Sequence, residues 1–347
     1  MVESRFWEDV SEGEELPNLE FPITLKTLVL AVCGTRDLMP YHHNSTFTKT
    51  LGIRDAFVNT MFDQALFGRF ATDWSGPDSD FRGTTLRMVG QLCPGDLAVV
   101  GGSVTRKWRD GDDSLAEVTM TALSKDHGPA AHSTATIAMP SRERGEVKPR
   151  TRLEKPVVEP DLKIPDFAKA WLGQVGSKRP GAYPVTEAQI MYWADMVEDA
   201  NPLYDNSEYA RRSRHGGMIA PPMSLITWTM GRGGQVGVER EAPDVDVPQR
   251  GPWPPLTDDA PRDQTPPGAT NTIATQSVQE YGVPLRPGDR VFTTSETVNC
   301  APLKRTALGY GYFQTTLTTF YNQRDEIVGT NLFTLLRYGV PEPVGVA

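Results

Sequence analysis

The sequence predicts an α+β protein in which one folding unit is used twice. Three observations predict it. The run Thr35-Arg36-Asp37-Leu38-Met39-Pro40-Tyr41-His42-His43-Asn44 returns in altered form about 160 residues later as Asp199-Ala200-Asn201-Pro202-Leu203-Tyr204-Asp205. Asp199 matches Asp37, Pro202 matches Pro40, and Tyr204 stands where His42 stood. Each copy later carries Pro-Gly-Asp, as Pro94-Gly95-Asp96 and as Pro287-Gly288-Asp289. Between these landmarks an apolar helical pattern gives way to strand-like segments, the order expected of a sheet wrapped on a helix. A repeat of this length fixes the architecture before any single element does.

The elements follow in order. In Asp55 to Trp74, Val58, Met61, Phe62, Ala65, Leu66 and Phe70 recur at helical spacing, which predicts a helix with one strongly apolar face. From Thr84 to Met139 the segments Leu97–Val100, Leu115–Met120 and Ser133–Ala138 are rich in β-branched residues. The turn-forming runs Arg109–Asp113 and Lys125–Pro129 separate them, so an antiparallel meander is expected. Charges and prolines mark residues 146–165 as a linker. Thr186 and Gln189 form a capping-box pair that opens a helix through Ile190, Trp193 and Val197. A further helix is expected over Met223 to Met230, and strands from Thr270 to Tyr338 with a hairpin turn at Asn322–Asp325. The interval from motif Asp to Pro-Gly-Asp is 59 residues in the first copy and 90 in the second, so the second holds an insertion of about 31. The Pro-, Gly- and Asp-rich stretch 233–268 accounts for it, as a surface loop or as a lid over a pocket. The units are therefore 1–145 and 166–347.

Composition removes whole classes of function. With 347 residues, 38% hydrophobic and 23% charged, the chain reads as a soluble globular protein. No apolar run approaches a membrane span, and the acidic start Met1–Asp9 has no apolar signal core. A net charge of −9 without a basic block argues against nucleic acid and anionic membrane as partners. Cys33, Cys93 and Cys300 are too scattered for a disulfide framework or a zinc site, and read as free buried thiols of a cytoplasmic protein. No metal site is expected among His42, His43, His127, His132 and His215. Gly231-Arg232-Gly233-Gly234 lacks the Lys-Ser/Thr pair of a phosphate loop.

Asp37 and His42 are the residues that suggest chemistry. Pro40 fixes its own φ and drives Met39 from the helical region, so the chain turns between them. A carboxylate and an imidazole brought together over one water can take a proton from it and return one elsewhere.

These residues resemble a known family. Asp-x-Asn-Pro-x-His is the signature of the MaoC-like hot-dog hydratases and dehydratases, and Asp37 and His42 fall on its Asp and His. Met39 replaces the family's Asn; the second copy keeps Asn201 but has Tyr204 for the His. The first half, with Ala56-Phe57-Val58-Asn59-Thr60 and Thr72-Asp73-Trp74-Ser75-Gly76-Pro77, is similar to the catalytic small subunit of the actinobacterial steroid side-chain enoyl-CoA hydratase. The second, with Asp199–Tyr204 and Arg214–Pro222, resembles the hot-dog part of its partner subunit. The resemblance implies a double hot dog, its antiparallel sheet closing around long central helices, with a catalytic first unit and a silent, acyl-binding second unit. Tyr cannot replace His as a base near neutral pH because its pKa is about 10.

The resemblance also implies a hydro-lyase that adds water across the double bond of a bulky enoyl-CoA, as a steroid side-chain thioester. In reverse it would be an (R)-3-hydroxyacyl-CoA dehydratase. Asp37 and His42 would activate the water, and the Thr60 N–H would bind the thioester oxygen, with Phe57, Val58 and Asn59 against the substrate. Coenzyme A belongs to the substrate, and no cofactor is expected. A homodimer is allowed, and the partner subunit's zinc-ribbon domain, which docks an aldolase, is expected to be absent. Arg106, Lys107, Arg211, Arg212 and Arg214 are candidates for the phosphates of coenzyme A, or form a solvated face. His215 reads as a capping or hydrogen-bonding residue. Two other functions stay open: a non-catalytic acyl-CoA-binding partner, and a thioesterase using a helix carboxylate, for which Asp63 is the candidate.

Overall fold

The structure, a computed structural model, describes residues 3–232 and 264–342. Residues 233–263, most of the expected insertion, lie outside the described residues. The strands are β1 (Glu15–Pro22), β2 (Asp80–Met88), β3 (Leu97–Asp110), β4 (Asp113–Ser124), β5 (Gly128–Ala138), β6 (Arg179–Pro180), β7 (Asn271–Tyr281), β8 (Phe292–Cys300), β9 (Lys304–Thr306), β10 (Gly309–Tyr321) and β11 (Ile327–Val340). The helices are α1 (Leu25–Thr35), α2 (Ser45–Thr50), α3 (Thr60–Ser75), α4 (Asp166–Lys169), α5 (Glu187–Val197), α6 (Pro202–Asp205) and α7 (Ser207–Arg212). Short 3-10 segments form at Trp7–Asp9, Pro40–His42 and Pro222–Thr229.

The repeat is visible bond by bond. Thr24 and Thr186 cap α1 and α5 at their N-termini, and Arg36 and Glu198 end them in left-handed backbone at φ 60° and 55°. Asn44 and Asn206 cap α2 and α7. Each of these pairs is separated by 162 residues. Beyond the insertion the offset becomes 193: the Ile23 N–H donates to Asp96 O and the Gly95 N–H to Ile23 O, as Val185 and Gly288 do with Asp289 and Val185, all at 2.8 Å. The change in offset places the extra residues between Pro222 and Leu285, as the two Pro-Gly-Asp runs predict.

The sheet runs β1-β3-β4-β5-β2-β7-β11-β10-β8-β6, with β9 beside β10. Each half is the mirror of the other, and they meet where β2 and β7 pair antiparallel from Gly83 against Glu280 to Arg87 against Gln276. Among the described residues the sheet is continuous, as expected, but it does not close: β1 and β6 are its two ends.

Only one long helix lies against it among the described residues. α3 starts five residues later than its apolar pattern suggests, because the Phe57 and Val58 amides donate to Tyr41 O and Leu92 O instead of entering a helix. Asn59 then caps it, its side chain accepting from the Phe62 N–H. Phe62, Leu66 and Ala71 are fully buried, and the two large side chains contribute roughly 1.5–3 kcal/mol each. The helix is covered on its other side by the second copy, where Met223 packs so close to Gly68 that a Cβ there would lie 2.4 Å from its sulfur. The second copy's equivalent of α3 is the eight-residue 3-10 segment Pro222–Thr229, where an α-helix was expected over Met223 to Met230. Its sequence is rich in β-branched residues and runs into Gly231, which disfavours continuation.

Two smaller expectations change. Gln189 does not complete the capping box; its amide crosses to α1 and donates to Cys33 O and Gly34 O. Cys93 and Cys300 are buried, but Cys33 is exposed on α1; all three are free.

Candidate active site

Asp37 and His42 meet. Arg36, in left-handed backbone, turns the chain out of α1, and Pro40 starts the 3-10 turn that carries His42. His42 Nε2 lies 3.4 Å from Asp37 Oδ2, with both side chains largely buried. His42 Nδ1 lies 2.9 Å from the Phe57 carbonyl. A carbonyl only accepts, so Nδ1 carries the proton, and in the neutral ring Nε2 presents a lone pair toward Asp37. The Phe57 ring stands edge-on to the imidazole at 5.3 Å. Asp37 Oδ1 accepts from the Met39 N–H at 3.2 Å.

A side chain that sequence reasoning passed over ties this loop to α3. Thr35, fully buried, accepts at Oγ1 from Asn59 Nδ2 at 2.7 Å and from the Asp37 N–H at 3.3 Å. Its own hydroxyl donates to Ala31 O. Asn59 is thus occupied at both ends of its amide, by the helix cap and by Thr35. Thr60 is the first residue of α3, half-buried, and its N–H meets no acceptor among the described residues. It is the kind of unpaired amide that a helix start offers to negative charge. Val58 is buried and Phe57 half-buried beside it.

The second copy keeps the backbone geometry but carries different side chains. Asp199 accepts from the Asn201 N–H as Asp37 does from Met39, and burial pushes its carboxyl up to about 6. Burial first, and then Asp199, hold the buried Tyr204 hydroxyl well above its usual value. Val197 stands for Thr35, and Pro221 and Pro222 stand for Asn59 and Thr60, so the polar link and the free amide are both missing.

Other candidates resolve differently. Asp63 is buried without a hydrogen-bond partner among the described residues, and burial pushes it up to about 8, so it holds a proton at neutrality. His215 is buried with neither ring nitrogen bonded, which corrects its reading as a hydrogen-bonding residue; burial, then Arg214, bring it down to about 3. Arg214 donates to Pro77 O and Ser79 O, Lys107 to Val10 O, and Arg106 stacks on Trp108, so these three serve the fold. His43 is exposed. Among the described residues no cluster of His, Cys, Asp and Glu could hold a metal ion, and no helix is long and apolar enough to cross a membrane.

Comparison with solved structures decides the fold. A MaoC domain protein of Chloroflexus aurantiacus superposes with a TM-score of 0.66 over 97% of this chain and 98% of its own, at 13% identity. A Mycobacterium tuberculosis protein described as a double hot dog gives 0.62 over 96% and 99%, at 11% identity. This chain has the double hot-dog fold. Residues 170–331 of it match the FAS1-like dehydratase domain region. It is 35% identical over 171 residues to a probable enoyl-CoA hydratase alpha subunit of Thermomonospora curvata, covering 49% of this chain and 50% of that protein. The 3-oxo-4,17-pregnadiene-20-carboxyl-CoA hydratase alpha subunit of Mycobacterium tuberculosis matches at 34% over 38% of this chain and 37% of its own length. The beta subunit of that enzyme matches at 29% over 38% of this chain and 96% of its own. The chain thus spans half or less of the alpha subunits it matches. A double hot-dog chain similar to both subunits fits the expected fusion of two units.

Proposed function

We propose that this protein is an enoyl-CoA hydratase, working in reverse as an (R)-3-hydroxyacyl-CoA dehydratase. The observation that carries the proposal is the approach of His42 Nε2 to Asp37 Oδ2 at 3.4 Å. With the imidazole in its neutral form both atoms are acceptors, and a water can give one hydrogen to each. Its oxygen is then left with lone pairs for the β carbon of an enoyl thioester. As that C–O bond forms, the pair takes one water proton, and electron density moves through the α carbon to the thioester oxygen. The Thr60 N–H receives that charge, and the α carbon is protonated from the pair, so the elements of water are added and nothing else is consumed. The reading calls for no cofactor beyond the coenzyme A that the substrate carries.

Asp63, protonated at neutrality, is a poor carboxylate base, which weighs against the thioesterase. A pure acyl-CoA binder has no use for a fixed His42 tautomer and a linked Asp37. The proposed substrate is a bulky acyl group such as a steroid side-chain thioester. Its support is the names of the relatives and the shortened helix of the second copy, beside which a groove of about 430 Å³ opens. That volume lies within the rough 300–1,000 Å³ of small-molecule sites. We place 1–145 as the catalytic unit, 166–347 as the acyl-binding one, and the complete site within one chain, with or without pairing into a homodimer. The test is the purified chain alone with crotonyl-CoA and a steroid side-chain enoyl-CoA. Hydration of both is expected, with kcat/KM about tenfold or more higher for the steroid thioester. No hydration until a second gene product is added would refute the single-chain site.

A further inference from the structure

The groove of the second copy is polar where the first copy is apolar. In the first copy Val100, Val104, Val118 and Met120 are buried in the same core as the apolar residues of α3. Val104 pairs with Val118 there, and Gly102 with Met120. At the 193-residue offset Val100, Gly102 and Val104 become Thr293, Ser295 and Thr297. Thr297 pairs with Thr316 and Ser295 with Thr318. All five line the groove. A face of hydroxyls is a poor seat for an apolar helix or for plain hydrocarbon.

Arg179 completes this face. It pairs with Thr293 across β6 and β8, so the two side chains share a side of the sheet. Its Nη2 is buried and has no acceptor among the described residues. Glu296, the carboxylate at the rim, is held by Lys155. Arg36 links the groove's border to the candidate loop. Thr229 and Pro180 line the groove. The carbonyls just after Thr229, Met230 O and Gly231 O, accept from Arg36 at 3.3 and 3.1 Å. Arg36 also stacks over Tyr183 at 4.3 Å, three residues past Pro180, and it immediately precedes Asp37.

We infer that the groove takes the end of the acyl group remote from the thioester, and that Arg179 donates there to a carbonyl or carboxylate oxygen carried by that end. The inference rests on the hydratase reading and adds a substrate class to it: ring or chain acyl groups oxygenated at the far end. A site built to donate to an oxygen rejects the analogue that lacks it, because its own donor is then left unpaired.

The experiment uses three matched polycyclic enoyl-CoA thioesters with a ketone, a carboxylate or only hydrogen at the far ring. The wild type should favour an oxygenated compound over the deoxy one by about tenfold or more in kcat/KM, and Arg179→Met should bring that ratio near one. Whichever oxygenated compound gives the larger ratio identifies the oxygen. A wild-type ratio near one overturns the inference without any variant, as does a ratio that Arg179→Met leaves unchanged. Calorimetric binding of the same three compounds to His42→Ala separates the two readings. A protein that binds the oxygenated compounds selectively yet hydrates nothing keeps the groove and loses the hydratase; one that hydrates all three alike does the reverse.

Discussion

Thr60 and Pro222 hold the same place in the two copies, and each is the first residue of its helical segment. Thr60 has an N–H that meets no acceptor among the described residues, and Pro222 has none to offer. The pair suggests a test of the oxyanion role. Proline is tolerated at the first helical position, and Asn59, at φ −88° and ψ 167°, already has the extended backbone that precedes a proline. Thr60→Pro therefore removes one amide with little strain. Hydration should fall about a hundredfold or more with the melting temperature nearly kept, on the scale of one lost oxyanion donor. A folded variant within threefold of wild type would remove Thr60 from the mechanism.

Asp37→Asn and His42→Ala should each lower hydration by at least about a hundredfold, the usual contribution of a general acid–base group. The comparison is Tyr204→Phe, which alters the counterpart of His42 in the second copy and should change turnover little. Activity kept within threefold in both of the first two variants would mean that the water is activated elsewhere.

Thr35→Val copies into the first unit what the second already has at Val197. The swap keeps shape but strips the hydroxyl that joins Asn59 to the Asp37 amide. A positioning role predicts a fall in kcat of about tenfold with KM little changed. Restoration by Thr35→Ser would distinguish the hydroxyl from packing. Equal activity in Val and wild type would show that Asp37 is held well enough by Met39 alone.

The two copies explain why some of this was legible in the sequence and some was not. The repeat, the Asp37–His42 pair and the meander could be read because each is a local pattern with a fixed consequence: a proline turn, a period, a Pro-Gly-Asp corner. α3 could be read as a helix but not its start, because the amides of Phe57 and Val58 are taken by Tyr41 and Leu92, far away in sequence. The shortened counterpart at Pro222–Thr229 was hidden for a similar reason. Met, Leu, Ile and Trp there have the hydrophobic content of a buried helix, which outweighs, to a reader of the sequence, the β-branched Ile226, Thr227 and Thr229 and the Gly231 that follows. Thr35 was invisible because a threonine at a helix end is ordinary until Asn59 is found bonded to it.

Asp63 offers a test of the core through pH. Burial pushes its carboxyl up to about 8, whereas an unfolded Asp titrates near 3.9. Below about pH 4 the proton is bound in both states and the ionisation of Asp63 contributes nothing to stability. As pH rises from there, the unfolded chain releases the proton and the folded one keeps it, so stability is lost steadily until the folded carboxyl also ionises, and is constant above about pH 8. The total is on the order of a few kcal/mol. His215 acts in the opposite direction, losing stability as pH falls below its unfolded value, so absolute curves mix the two. The difference between wild type and Asp63→Asn isolates the carboxyl, since the amide has nearly the same shape and no proton to lose. Urea midpoints taken at each unit from pH 5 to pH 9 should show the variant gaining on wild type up to about pH 8 and then running parallel. Curves parallel throughout would mean that Asp63 finds a partner or solvent in the folded protein, and its carboxylate would again be available as a base.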